Sequence, residues 1–290
     1  MATAAPNPTV RRLELAARLR DLRTSAGKSL EDVASELMCS TAKISRLETG
    51  ERGIQPRDVR DLCRFYEVSD RERAQLIKLA EEARKPGWWQ DFRGLDQRTA
   101  TFIALESAAT EIRFAQSMII PGLLQTEEYT RALLPRLRPP GGMTPDAVDD
   151  ASRLRERRKE RLLRGDVQFH TVVDEVAFRR EVGSPDVMVR QLDRLLELAS
   201  MPSIEIQVIP FASGPHPLLE GSFQHMLLGS SLSDVVFVEG LLGAFIVDDS
   251  DHVNHYREIW DYISCTVAQD ADRTLLWLKN ERDRWCADTA

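Results

Sequence analysis

Ser40-Thr41-Ala42-Lys43-Ile44-Ser45-Arg46-Leu47-Glu48-Thr49-Gly50-Glu51-Arg52 decides how the front of this chain is read. Ile44 and Leu47 make one side of a short helix apolar, Ser40 supplies a cap and Gly50 a stop. The other side begins with small or polar groups, Thr41 and Ala42, and carries Lys43 and Arg46 one turn apart. A helix whose tip enters a major groove needs such side chains to meet base edges, and its free N–H groups face phosphate. Just ahead, Ser29 and Asp32 form a capping box for a helix of about ten residues, with Leu30, Val33, Ala34 and Leu37 on one face and a turn at Met38-Cys39. Two short helices joined by a turn, closed by a third element, make a helix-turn-helix. A generic helical bundle with a solvated basic face shares this periodicity and stands beside it as the alternative.

Working outward, Leu13, Leu15, Ala16, Leu19 and Leu22 recur at helical spacing and stop at Ala26-Gly27. Pro56 opens a fourth helix with Val59, Leu62, Cys63 and Tyr66. Ser69 and Glu72 make a second capping box ahead of a fifth helix, Leu76 to Ala83. The expectation is a flexible N-terminus over 1–12, an all-α five-helix helix-turn-helix domain over 13–86, and a larger α+β domain over 87–290.

The run Leu30-x-x-Val33-Ala34 followed by residues 40–52 resembles the helix-turn-helix of the lambda-repressor-like, or Xre-type, regulators, whose usual form is S-x-x-x-I-S-x-x-E-x-G-x-R. Thr41-Ala42 departs from it where many relatives carry a glutamine, which bears on base preference. The resemblance implies sequence-specific DNA binding. It makes Thr41, Ala42 and Arg46 the base contacts, with Arg46 able to grip guanine O6 and N7 together. It makes Ser40, Lys43 and Arg52 the phosphate contacts that fix register. Glu48 is expected to pair with a neighbouring helix or with Arg52 instead of DNA.

The balance of charge agrees with this division of labour. The 290 residues carry a net charge of −7, but residues 1–87 hold 17 basic and 14 acidic side chains, whereas residues 165–290 hold 9 and 21. The field that matters to phosphate is that of the part touching it. The back end repels DNA and suits a partner or a ligand.

Lys85-Pro86-Gly87 ends the helical front, and Trp88-Trp89-Gln90-Asp91-Phe92 opens a new composition; the two indoles could stack bases or pack a hinge. Phe102, Leu105, Ala108, Ala109 and Ile112 read as one amphipathic helix, and Thr126 caps Glu127 to Leu134. Pro139-Pro140-Gly141-Gly142 is a loop, and Asp149 to Arg164 is a helix dense in Arg and Lys. Strands are expected at 167–173, 204–209, 223–228, 235–239 and 244–247, and helices at 185–200, 252–267 and 273–285.

This part resembles the C-terminal domain of the WhiJ-like regulators of filamentous actinobacteria. The likeness rests on Glu111-Ile112-Arg113, Ile120-Pro121-Gly122-Leu123-Leu124-Gln125-Thr126-Glu127-Glu128-Tyr129, Asp174-Glu175-Val176-Ala177-Phe178-Arg179-Arg180, Gln191-Leu192, Val208-Ile209-Pro210-Phe211 and Gly214-Pro215-His216-Pro217. It implies a developmental or antibiotic-linked transcription factor, often paired with a small protein encoded nearby in an antitoxin-like arrangement. It carries no catalytic residue.

Among other candidates, His252 and His255 lie three apart behind Asp248, Asp249 and Asp251, a spacing that could hold a metal, although helix starts attract acids anyway. His216 between two prolines could line a pocket, and Asp174-Glu175 reads as a helix cap. Arg153, Arg155, Arg157, Arg158, Lys159, Arg161 and Arg164 could add phosphate contacts, receive an acidic partner, or form a solvated face. There is no G-x-S-x-G, G-x-G-x-x-G or G-K-[ST]. Four scattered cysteines suit reduced thiols, no apolar run approaches a membrane span, and no secretory signal is read at the N-terminus.

The expectation is a cytoplasmic, nucleoid-associated regulator, a repressor, without enzyme activity, cofactor, metal or membrane partner. Its partners are a double-stranded DNA operator, a second copy of itself and a small neighbour-encoded protein. A dimer would set two recognition helices about 34 Å apart. A small-molecule sensor is the alternative, and an enzyme tethered to DNA a third.

Overall fold

Asn7 starts the first helix: its side chain accepts from the N–H groups of Thr9 and Val10, and Pro8 needs no partner at that position, so α1 runs Pro8–Ser25. Helix therefore replaces the expected flexible lead from Pro8 onward, because the Asn-Pro pair caps ahead of the first leucine. The computed structural model describes residues 7–51, 53–92, 94–138, 142–229, 232–240 and 243–287. The Pro139-Pro140-Gly141 part of the expected loop lies outside the described residues.

Four more helices complete the front: α2 (Leu30–Glu36), α3 (Thr41–Glu48), α4 (Pro56–Phe65) and α5 (Asp70–Glu82). Their apolar faces share one core of Leu15, Leu19, Val33, Ile44, Leu47, Val59, Leu62, Leu76 and Ala80. Each Leu, Ile or Val among them contributes about 1.5–3 kcal/mol on full burial. α2 is shorter than expected at 7 residues, since the chain leaves the helix at Leu37 for the turn. The second capping box is half made: Ser69 Oγ accepts from Glu72 N–H, but the Glu72 carboxylate takes Arg18 instead of the Ser69 N–H. Gly50, at φ 72°, lies where a Cβ would come 2.7 Å from Leu13 Cδ2, so it both ends α3 and lets α1 close in.

Contacts divide the chain into two compact units, one of Asp91 and what precedes it with Ile103–Ala108 and the short segment ending at Leu232, the other the sheet-bearing remainder. In chain order come α6 (Gln97–Ala108), β1 (Glu111–Gln116), α7 (Glu127–Leu133), α8 (Pro145–Leu163), β2 (Gln168–Asp174), the single turn α9 (Val176–Arg179), α10 (Pro185–Leu198) and β3 (Ile204–Ile209). β4 (Phe223–Leu227), β5 (Val235–Gly240), β6 (Gly243–Val247), α11 (Ser250–Tyr262), a π-helical turn (Ile263–Val267) and α12 (Ala271–Ala287) follow. The strands form one mixed sheet in the order β3-β2-β1-β4-β5-β6. β1, β2 and β3 run parallel, joined through α7–α8 and through α9–α10, and β4, β5 and β6 add antiparallel.

The α+β expectation holds, with one correction. Ile112 belongs to β1 and not to the helix before it. The spacing of Leu105, Ala109 and Ile112 keeps helical period across the point where Thr110 N–H leaves for Leu227 C=O. β1 is thus hidden from periodicity although it sits in the middle of the sheet. On one face, Ala115, Val172, Ile209, Phe223 and Val236 bury against Val253, Trp260 and Ile263.

Candidate nucleic-acid interface

The turn between α2 and α3 is held from both sides. Asp32 N–H donates to Ser29 Oγ at 3.1 Å while Ser29 N–H donates to Asp32 Oδ2 at 2.8 Å, the reciprocal box expected from sequence. Met38 takes a positive φ of 49° at the tip and is 93% exposed. Cys39 N–H returns to Ala34 C=O, and Ser40 Oγ then accepts from Lys43 N–H at 3.2 Å to start α3. Ile44 and Leu47 fix the rotation of α3 by burial.

Glu48 fixes its far end. Arg23 of α1 donates to both Glu48 oxygens, at 2.8 and 3.0 Å, and the carboxylate is only 7% exposed. The hydrogen bond to Glu48 raises the Arg23 pKa against the opposing effect of burial. Glu48 is therefore an anchor to a neighbouring helix, one of the two roles expected for it.

With that side tied down, Thr41, Ala42 and Arg46 are exposed together on the opposite face. Among the described residues the Arg46 side chain has no ion-pair or hydrogen-bond partner. Ser45 is half-buried beside them. Ser40 combines capping with an exposed position. Lys43 is half-buried, its Nζ 3.8 Å from Asp58 Oδ2, so its charge is partly answered from α4. Arg52 lies outside the described residues.

Lys43 also borders a cavity of about 410 Å³ lined by Leu47, Gly53, Gln55, Arg57 and Asp58. α4 starts here with Pro56 in its first turn and no side-chain cap, because Gln55 Oε1 accepts from Arg84 at 2.8 Å instead. This uncapped helix start lies beside Lys43 and the exposed Arg57, both of which face the Asp58 carboxylate, at 3.8 and 3.5 Å. Sequence reasoning missed Gln55 and Arg57; the signal available was Pro56 in a first turn with no Ser, Thr, Asp or Asn before it.

The candidates of the back end resolve differently. Asp249 Oδ1 accepts from the N–H groups of Asp251 and His252 and pairs with His252 Nδ1 at 2.9 Å, which is a helix cap for α11. No group of three metal-ligating side chains occurs among the described residues. Asp174 caps too, accepting Val176 N–H at 2.8 Å, while its other oxygen meets the buried His216 Nε2 at 2.9 Å. Trp89 is buried, edge-on to Trp88 and laid over Gly87.

On α8, Arg153 pairs with Asp150, Arg157 with Glu160, and Arg164 with Glu160 and Asp166. Arg155 reaches Gln125 Oε1, and Arg161 reaches the carbonyls of Ala109 and Asp166. Lys159 is buried and donates to Gln125 C=O and to Glu156, and burial lowers its pKa more than Glu156 raises it. These cations are largely spent inside their own unit.

A helical unit whose third helix is anchored by Ile44, Leu47 and Glu48 and presents Thr41, Ala42 and Arg46 defines the helix-turn-helix class of DNA-binding regulators, Xre-like in its residue pattern. Residues 14–76 match a family described as a helix-turn-helix domain. Residues 99–280 match the domain of unknown function DUF5753, and the chain belongs to that family. No curated protein and no solved structure matches the chain. Among the described residues no helix is long and apolar enough to cross a membrane.

Proposed function

We propose that this chain is a sequence-specific transcriptional regulator, a repressor acting in the cytoplasm, that binds a near-palindromic operator as a homodimer. The observation that supports it most is the uncommitted guanidinium of Arg46 on the outer face of α3, beside Thr41 and Ala42. Arg46 reads a guanine edge, Thr41 and Ala42 set the neighbouring base preference, and Ser40, Lys43 and Arg52 hold phosphates. The sheet-bearing unit is regulatory and not catalytic. Its acidic surface keeps it off the duplex and leaves it to receive a small protein, in the antitoxin-like arrangement that the WhiJ resemblance implies.

Genome-wide footprinting with and without the adjacent small gene tests this reading. Discrete bound sites whose occupancy changes with the small gene are expected; no bound sites in either condition overturns it. A second reading, a metabolite sensor, has support in the buried His216–Asp174 pair at the carboxyl end of β2, where ligands of α/β sheets gather. A thermal shift with a metabolite library, absent in His216→Ala, would favour it.

A further inference from the structure

The two edges of the sheet are finished differently. On the β3 edge, Val208 N–H donates to Thr274 Oγ1 at 3.1 Å and Val208 C=O accepts from Gln269 N–H at 2.9 Å. Glu205 adds an exposed carboxylate to the same strand. An incoming strand would have to displace all three. On the β6 edge nothing comparable stands: among the described residues, no hydrogen bond of Gly243–Val247 other than those of the β5 ladder is present. Gly243-Ala244-Phe245-Ile246-Val247 carries no charge and no proline, the usual means by which an exposed edge is blunted. Phe245 is 57% exposed at its centre.

We propose that β6 is the self-association site of this chain, two copies joining edge to edge through antiparallel pairing of β6 about a twofold axis, so that their sheets run on as one. This rests on the homodimer within the proposed function and gives that dimer its surface. The strand is self-complementary in this register. Pairing centred on Phe245 sets Gly243 against Val247 and Ala244 against Ile246, small against branched, with Phe245 opposite its own copy. The faces agree as well: Phe245 and Val247 share a face with Val238 and Val236, which pack toward α11, and Ile246 lies with Phe237, which stacks on Phe102.

The uncharged register and its closure argue for a second copy as the occupant. Residues 165–290 carry 9 basic and 21 acidic side chains, so two copies repel over most of their surface. Gly243–Val247 is a stretch where they meet without opposing like charges, since no ionisable group falls within the paired register. An isologous contact also closes at two copies, whereas addition of unlike strands leaves a new open edge.

Sedimentation of the full-length chain is expected to give about twice 32.9 kDa at micromolar concentration. Phe245→Lys places two ammonium groups face to face and removes an aromatic pair, and should raise the dimer dissociation constant about tenfold or more, with an unchanged melting temperature only at concentrations where both chains are monomeric, since association adds stability by mass action. Phe245→Cys, with Cys265→Ser and Cys286→Ser, should form one intermolecular disulfide on mild oxidation, since directly opposed Cβ atoms lie about 4.5–5.5 Å apart. A monomer at every concentration overturns the proposal. So does a dimer that is indifferent to Phe245→Lys and gives no cross-link, or a one-to-one complex with a different protein that Phe245→Lys abolishes while the mass of the chain alone stays that of a monomer. Arg46→Ala separates the two questions: it should leave the mass of the dimer untouched, and a β6 dimer that binds no DNA would remove the regulator reading while leaving this one standing.

Discussion

On α3, Arg46 faces outward with no partner among the described residues, whereas on α8 Arg153, Arg157, Lys159 and Arg164 are each met by a carboxylate three or four residues away. In the sequence α8 holds the more cations, six against two, although each helix nets one positive charge. The difference lies in the interleaved acids: Asp150, Glu156 and Glu160 recur at the spacing that brings side chains together on one helix face. α3 has a single acid, Glu48, and Arg23 of another helix has already taken it. The number of cations therefore says little about phosphate binding until the neighbouring acids have been assigned.

Arg23→Ala should break this comparison most severely. It strands a carboxylate that is 7% exposed, and loss of one partner from a buried pair costs about 3–5 kcal/mol. Denaturant unfolding, with hydrogen exchange of the α3 amides, measures it; a loss below about 1 kcal/mol would mean the pair does not hold α3. Arg46→Ala comes next. It should cost about 1–3 kcal/mol on the preferred operator and relax discrimination there, leaving stability alone. Equal losses on preferred and scrambled duplex would assign Arg46 to phosphate.

The same comparison shows where the sequence was legible. In the front unit the caps at Ser29 and Ser40, the stop at Gly50 and the inward pair Ile44 and Leu47 act within one turn of chain, and each stands where the pattern placed it. β1 escaped because Ile112 continues the helical period of Leu105 and Ala109, and only pairing with β2 and β4, more than fifty residues away in sequence, makes it a strand. The cavity wall at Gln55 and Arg57 escaped for a related reason: the missing cap before Pro56 was visible in the sequence, but the hold of Arg84, from a later segment, on the Gln55 side chain was not. Glu48 was half legible: its acidity on a helix expected to face DNA marked it as structural, but Arg23 as the partner depends on how α1 crosses α3.

Lys159→Met tests the other half of the contrast. Losing the hydrogen bonds to Gln125 C=O and Glu156 should cost about 1–2 kcal/mol of stability and nothing in DNA affinity. The pH dependence sharpens it. Burial holds the folded-state pKa of Lys159 below its ordinary 10.5, so between those values the unfolded chain binds more protons than the folded one. Its contribution therefore makes the wild type gain stability as pH rises through that alkaline window, and Lys159→Met should flatten this slope. A slope unchanged in the variant would mean that another group sets it.

The smallest effect is expected from Arg157→Ala. Arg157 donates to both oxygens of Glu160 on the surface of α8, and exposed pairs of this spacing contribute only about 0.3–0.5 kcal/mol. The informative readout is the salt dependence of operator binding, because each phosphate contact adds about 0.9 to the slope of log affinity against log salt. Lys43→Ala should lower that slope by about one contact, since Asp58 at 3.8 Å answers its charge only in part. Arg157→Ala should leave the slope where it was, its charge already matched within one turn of its own helix. If it lowered the slope as Lys43→Ala does, α8 would be releasing its cations to the duplex on binding, and the division between a reading helix and a self-neutralised one would fail.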